Sequence, residues 1–325
     1  MKVHIRKVGL IGMCLLSLVA SPATTATQAP VDTWVTLGTG GGPLMRTKRA
    51  QSSNVLLAAD KVIVFDAGEG VARALTLQNI GLEKVDAIVL SHLHPDHMAG
   101  LSALISLRWQ NGIVRPLTVY GPVGTSELVS GILASLKPAE RTGFATTEPM
   151  PSAAGWLKVE ELPCRGEVTG IGGVSVKAVL NSHYSLPDGK DAADAASCSF
   201  RVETGRRSIV YTGDTGPSPA VTELARDADL LISEVIDLKA TFAAIEKRGG
   251  GLSPAMKEGL TFHLIHHHLV PEDVGKLATA AGVKRVVLTH LSPGMDDEKS
   301  PVGYIDGVRR TYRGPVTAAA DGDRF

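Results

Sequence analysis

From Val31 onward, short apolar runs alternate with segments of helical spacing. TWVTLG, NVLLAA and KVIVFDAG are β-rich runs closed by turn residues, and they predict strands. VARALTLQNIGL predicts a helix, and VDAIVLSH a buried strand that runs into a loop. MAGLSALISLRW (Met98 to Trp109) has helical apolar spacing, and LTVYGP is a strand ended by Gly-Pro. In the second half VSVKAVLNSH, CSFRVET, RSIVYTGDTG and DLLISEVI predict strands. A helix from Pro271 to Ala281 leads into the strand RVVLTHLS (Arg285 to Ser292), followed by the helix VGYIDGVRRTY and a last strand in GPVTAAADGD. The least regular stretch, Lys137 to Gly173, is rich in Gly, Pro and Thr and reads as a long surface loop or an inserted arm. Helices do not separate every pair of strands. The pattern therefore predicts an α/β protein built as an αββα sandwich, two mixed sheets flanked by helices.

Composition adds a compartment. Hydrophobic residues make up 44% of the 325 residues, with a mean hydropathy of +0.11, as expected of a folded core. At the start, Lys2, Arg6 and Lys7 precede an apolar run from Val8 to Ala20, with Ala23 or Ala26 as the last residue before cleavage. That run is too short for a membrane span and has the layout of a secretory signal peptide. Residues 1–26 are thus expected to be removed, leaving 27–325 as a single periplasmic or secreted domain with no stable membrane anchor. Three of the 33 basic residues and none of the 33 acidic ones lie in that segment, so the mature charge is near −3. A mildly acidic chain has no general attraction for nucleic acid. Cys164 and Cys198 remain after cleavage; they could pair in an oxidising compartment or stay as buried thiols.

Chemistry concentrates in VLSHLHPDHMAG, where His92, His94, Asp96 and His97 follow a buried strand and precede a helix. Alternate residues of an extended segment point the same way, so His92 and His94 can grip one cation. The turn into the helix lets Asp96 and His97 face a second. Imidazole and carboxylate suit Zn²⁺ while leaving positions for water. Three further candidates end strands: His183, Asp214 and His290. The richest histidine segment is FHLIHHHLV, with His263, His266, His267 and His268.

These residues, together with LGTGGGPLMRTKRAQSS, DAGEG, YTGDTG and LTHLSP in that order, resemble the metallo-β-lactamase superfamily over essentially the whole mature chain. The ribonuclease Z and arylsulfatase-like branch is the most similar part of it, through Glu234 in LLISEVIDLKATF and His268 ahead of the final helix and strand. The resemblance implies two zinc ions, one held by His92, His94 and His183, the other by Asp96, His97 and His290, with Asp214 between them. It implies a metal-bridging hydroxide as nucleophile, with Asp96 ligating and orienting it. Glu234 and His268 would pair, so that His268 stabilises charge or protonates the leaving group. Asp66 is a candidate to fix an imidazole from behind. His267 is the rival of His268 through a slip of one residue, and His263 and His266 line the pocket or sit on the surface. The segments Lys137 to Gly173 and Lys247 to Phe262 are expected to border the pocket, the second as a lid.

The expected activity is hydrolysis of small-molecule sulfate or phosphate esters, as in arylsulfatase-like members. A lactonase or β-lactamase-type hydrolase is the alternative. Transfer-RNA processing and a non-catalytic zinc-binding role rank below these. Nucleic acid is expected to be an unlikely partner because export separates the chain from precursor transfer RNA. In addition, Lys137 to Gly173 carries four basic residues (Lys137, Arg141, Lys158, Arg165) against five acidic ones (Glu140, Glu148, Glu160, Glu161, Glu167). Members of the branch are often homodimers.

Overall fold

The computed structural model describes residues 32–58, 60–143, 150–186, 194–248, 251, 253–294, 296 and 300–325. The expected signal segment lies outside them. The first sheet holds β1 (Thr33–Gly38), β2 (Ser53–Ala58), β3 (Lys61–Ala67), β4 (Val85–Val89), β5 (Leu117–Gly121) and β6 (Leu157–Glu161), side by side in chain order. Its first three strands are antiparallel neighbours, and β3 to β6 run parallel. The second sheet holds β7 (Arg165–Ile171), β8 (Val174–Leu180), β9 (Cys198–Glu203), β10 (Ser208–Tyr211), β11 (Leu230–Ile236), β12 (Val286–Ser292) and β13 (Val316–Ala318), again in sequential order. Both sheets are mixed, as the spacing of apolar runs predicts.

Three apolar layers account for the stacking. Trp34, Phe65 and Val89 from the first sheet meet Phe200, Tyr211 and Ile232 from the second, forming the layer between the sheets. The ring centroids of Trp34 and Phe65 lie 5.0 Å apart, and those of Phe65 and Phe200 6.0 Å, within the range of favourable tilted contacts. Outside the first sheet pack the helices Val71–Leu77, Pro95–Gln110 and Thr125–Thr142, through residues such as Leu75, Leu104 and Ile132. Outside the second pack Pro219–Leu224, Pro271–Ala281 and Val302–Arg309, through Val221, Leu277 and Val308. Buried polar backbone is satisfied within the sheets, so burial on both faces is tolerated.

The stretch Lys137 to Gly173 corrects the expectation of a loop or arm. It contains the end of the helix Thr125–Thr142, then β6 on the edge of one sheet and β7 on the edge of the other; residues 144–149 lie outside the described set. It is the crossover between sheets. A disulfide between Cys164 and Cys198, with Cα atoms 5.9 Å apart, ties that crossover to the start of β9 and decides between the two cysteine readings. The expected lid, Lys247 to Phe262, falls largely on the helix Pro254–His266; residues 249, 250 and 252 lie outside the described set.

Candidate metal centre

All the expected ligands come together, and the backbone explains how. His94 is extended at φ −68° and ψ 145°, and Pro95 opens the helix Pro95–Gln110, its fixed φ suited to the first helical position. The chain thus changes from extended to helical between His94 and Asp96, which sends His92 and His94 to one set of partners and Asp96 and His97 to another. His183, Asp214 and His290 arrive from the ends of β8, β10 and β12 in the other sheet. On β12 a bulge sets Thr289 and His290 opposite the single residue Glu234, and His290 takes φ 44°. Bulges beside sites re-aim side chains in this way.

In the first group, His94 Nδ1 lies 3.2 Å from His92 Nε2 and 3.0 Å from His183 Nε2. The far nitrogens are already used. His183 Nδ1 donates to the His267 carbonyl at 2.9 Å, and His92 Nδ1 lies 3.0 Å from Ser91 Oγ, whose proton goes to Asp66. Two lone pairs, on His92 Nε2 and His183 Nε2, therefore converge with His94 Nδ1. Tetrahedral zinc with Zn–N bonds of about 2.0 Å places its ligand atoms roughly 3.3 Å apart.

The second group is Asp96, His97, Asp214 and His290. His290 Nε2 lies 3.2 Å from Asp96 Oδ2 and 3.2 Å from Asp214 Oδ2. His97 Nε2 lies 3.3 Å from Asp214 Oδ2, while that same oxygen is 3.9 Å from His92 Nε2 and 4.0 Å from His183 Nε2. Asp214 faces both groups. Among the described residues, the buried His97 Nε2, Asp214 Oδ1 and His290 Nδ1 have no hydrogen-bond partner. Burial works to lower the His97 pKa, yet Asp214, Asp96 and Asp66 outweigh it and hold the imidazole well above its usual value. Buried carboxylates demand positive charge here. Unpaired donor atoms and unbalanced carboxylates are what a divalent metal centre resolves, so the residues fit the metal.

Asp66 anchors the base of the site. Its oxygens accept from the Ser91 amide (2.6 Å), Ser91 Oγ (2.8 Å), His97 Nδ1 (2.7 Å) and Tyr211 Oη (2.6 Å). Two glycines of LGTGGG, which carry no role on sequence grounds alone, close the other side. The Gly42 amide donates to Asp96 Oδ2 at 2.8 Å, and a Cβ at Gly42 would stand 2.4 Å from that oxygen. At Gly41 a Cβ would meet His290 Cε1 at 2.9 Å.

The histidine-rich stretch divides cleanly. His268 Nδ1 lies 2.7 Å from Glu234 Oε2, and Glu234 Oε1 accepts from the Thr215 amide at 2.6 Å. Burial works to lower the His268 pKa, but the Glu234 carboxylate raises it to about 9. Burial also pushes the Glu234 carboxyl up, so a proton resides in the pair at neutral pH. His267 offers its carbonyl instead, and His266 is exposed. His263, left open between pocket and surface by its sequence, reaches the site: its ring centroid is 4.8 Å from that of His183 and 5.6 Å from that of His94.

A family model described as the β-lactamase superfamily domain matches residues 61–291, a span that includes every residue of this cluster. The chain belongs to the metallo-β-lactamase superfamily. Within it, the chain lies in the ribonuclease Z-like branch and is a metal-dependent hydrolase. It is 30% identical over 318 residues to Ribonuclease Z of Brevibacillus brevis, covering 88% of this chain and 93% of that one. It is 29% identical over 293 residues to Ribonuclease Z of Methanosarcina acetivorans, with 82% and 89% covered. Among solved structures, the metallo-β-lactamase fold protein YhfI from Bacillus subtilis superposes with a TM-score of 0.62 at 20% identity, covering 90% of this chain and 98% of that one. Human tRNase Z, short form, does so with a TM-score of 0.60 at 22% identity, again covering 90% and 98%.

These relatives overturn the expected activity. Neither sulfate and phosphate ester hydrolysis of the arylsulfatase kind nor the lactonase and β-lactamase alternative agrees with a set of relatives named Ribonuclease Z. The expectation that nucleic acid is an unlikely partner falls with them. Its physical grounds were also weak. Among the described residues, Lys137 to Gly173 is the end of a helix followed by two edge strands, not a gripping arm. A net charge near −3 also hides a local excess of basic groups: Arg46, Lys48 and Arg49 from the loop after Gly42 and Arg73 from the helix Val71–Leu77 line a cavity of about 330 Å³, against two carboxylates, Glu69 and Asp321.

Proposed function

We propose that the chain is an endoribonuclease of the ribonuclease Z type, hydrolysing RNA phosphodiester bonds with two zinc ions. His92, His94 and His183 would hold one ion and Asp96, His97 and His290 the other, with Asp214 facing both. Bound there, zinc supplies Lewis-acid polarisation of phosphoryl oxygens and lowers the pKa of water. The protein's own contribution is positional and protonic. Asp66 and the His267 carbonyl fix the imidazole orientations behind the ligands, and Gly42 holds Asp96.

The observation that carries the reading is the His268–Glu234 pair, held at 2.7 Å with the His268 ring stacked 6.0 Å from that of His290. A hydrolysed phosphodiester releases an alkoxide, which needs a proton as the P–O bond breaks. His268 holds that proton beside the cluster and gives it to the leaving oxygen. Arg46, Lys48, Arg49 and Arg73 outnumber Glu69 and Asp321 around one cavity, and that basic excess supports a polyanionic substrate.

The test is a substrate panel for the zinc-loaded protein: a transfer-RNA precursor with a 3′ trailer, an unstructured RNA, and p-nitrophenyl sulfate. Endonucleolytic cleavage of RNA with no sulfate release is the expected outcome. Turnover of the sulfate without RNA cleavage would overturn the reading.

We further propose that residues 1–26 are an export signal and that the mature chain works in an oxidising compartment. The Cys164–Cys198 disulfide supports this. Mass spectrometry of the periplasmic protein would then give an N-terminus just after Ala23 or Ala26; full-length protein confined to the cytoplasm would refute it. An exported nuclease meets RNA outside the cytoplasm, which is why the panel includes an unstructured strand.

A further inference from the structure

A second cavity, of about 640 Å³, opens directly beside the first histidine group. One wall is Leu93, which sits between two of the proposed ligands, and another is Tyr184, which follows a third. The Tyr184 ring centroid is 5.1 Å from that of His94 and 5.1 Å from that of His183, so the ring that walls the groove also packs against the first histidine group. Met98, Leu128 and Ile132 add to the apolar lining. At the rim stand two exposed carboxylates, Glu127 and Asp194, and among the described residues no lysine or arginine lines the groove.

We infer that this groove is a nucleobase subsite, which takes the base of a nucleotide next to the scissile phosphate. The inference rests on the RNA reading above and adds to it where the base goes. Of the three parts of a nucleotide, the phosphate is repelled by Glu127 and Asp194 and has cations elsewhere: at the metal centre and at the patch of Arg46, Lys48 and Arg73. The base alone is flat, largely apolar on its faces and equipped with amine donors at its edge. Apolar walls with one aromatic ring suit stacking, which every base can offer. Rim carboxylates accept from exocyclic amines, favouring cytosine and adenine over uracil.

Gly131 makes the inference testable. It lines the groove from within the helix Thr125–Thr142, and a Cβ built there has no atom within 4 Å. Gly131→Trp fills the groove from a helical position where glycine is itself a poor choice, so folding is not the expected casualty. Gly131→Leu is the smaller companion, and melting temperature and zinc content verify both. The experiment compares KM for an RNA with that for the same RNA carrying abasic residues flanking the cleaved bond. The unsubstituted protein should prefer the intact RNA by about tenfold, the scale of one lost stack, and both variants should lose most of that preference. Equal KM for the two RNAs in the unsubstituted protein, or an undiminished preference in both variants, would overturn the subsite while leaving RNA cleavage intact. Absence of RNA cleavage alongside hydrolysis of bis-p-nitrophenyl phosphate would instead overturn the RNA reading, and the subsite with it.

Discussion

His268 and Asp66 show how buried polar groups can be set to opposite uses. The imidazole of His268 keeps its proton up to about pH 9 because Glu234 and then Asp214 outweigh the cost of burial. Its protonated form is present at neutral pH and lost as pH rises through that value. The alkaline limb of kcat/KM is therefore expected near pH 9, and in Glu234→Gln it should move toward the ordinary histidine range, measured at constant zinc content. His268→Ala should lower kcat by about 10²-fold or more with zinc retained; unchanged turnover would remove the residue from the chemistry. Asp66 is fully buried and serves as an acceptor. Asp66→Asn puts an amide donor among four donors, and metal affinity should fall by about 10- to 100-fold in a competition titration with a chelator. The clustered histidines and carboxylates were legible in sequence because strand ends carry them. Gly42 was not, since a close approach to Asp96 leaves no local pattern.

Elements whose apolar runs are continuous were readable, and those with mixed polarity were not. TWVTLG is buried at all six positions of β1, and its unbroken β-rich run predicts that strand. LKVEE and RGEVTGI form β6 and β7, edge strands exposed over most of their length, so no apolar run marks them. The helix Thr125–Thr142 carries Pro138 in its interior, which obscures its last turn. The register irregularity between Ser233 and Val235 that re-aims His290 is equally silent in sequence, because a bulge is a property of two strands. The disulfide follows the same logic. It closes 34 residues between an edge crossover and a buried strand, and Cys198 also donates its amide to the Ser91 carbonyl. Replacing both cysteines with serine should cost about 3 to 4 kcal/mol in urea unfolding by loop-entropy reasoning. A loss below about 1 kcal/mol would mean that packing alone holds the crossover.

At the scale of the molecule, the metal groups join two sheets that share an apolar layer. His92, His94, Asp96 and His97 leave the first sheet, while His183, Asp214 and His290 belong to the second. A cation bound by both binds the folded state alone. Chelation is therefore expected to lower the melting temperature by about 5 °C or more, with recovery on adding zinc; an unchanged transition would argue that the cluster is empty in the native protein. The sandwich class could be read from strand and helix alternation, yet the meeting of the sheets at this cluster could not, since periodicity carries no long-range distance. The order of ligands along the chain has a consequence in time. A chain still emerging from the ribosome holds His92 to His97 early but lacks His290 until β12 is made. No complete cluster exists before then. The group of His92, His94 and His183 is synthesised well before the second, so the two halves of the cluster become available in sequence and the complete centre only at the end.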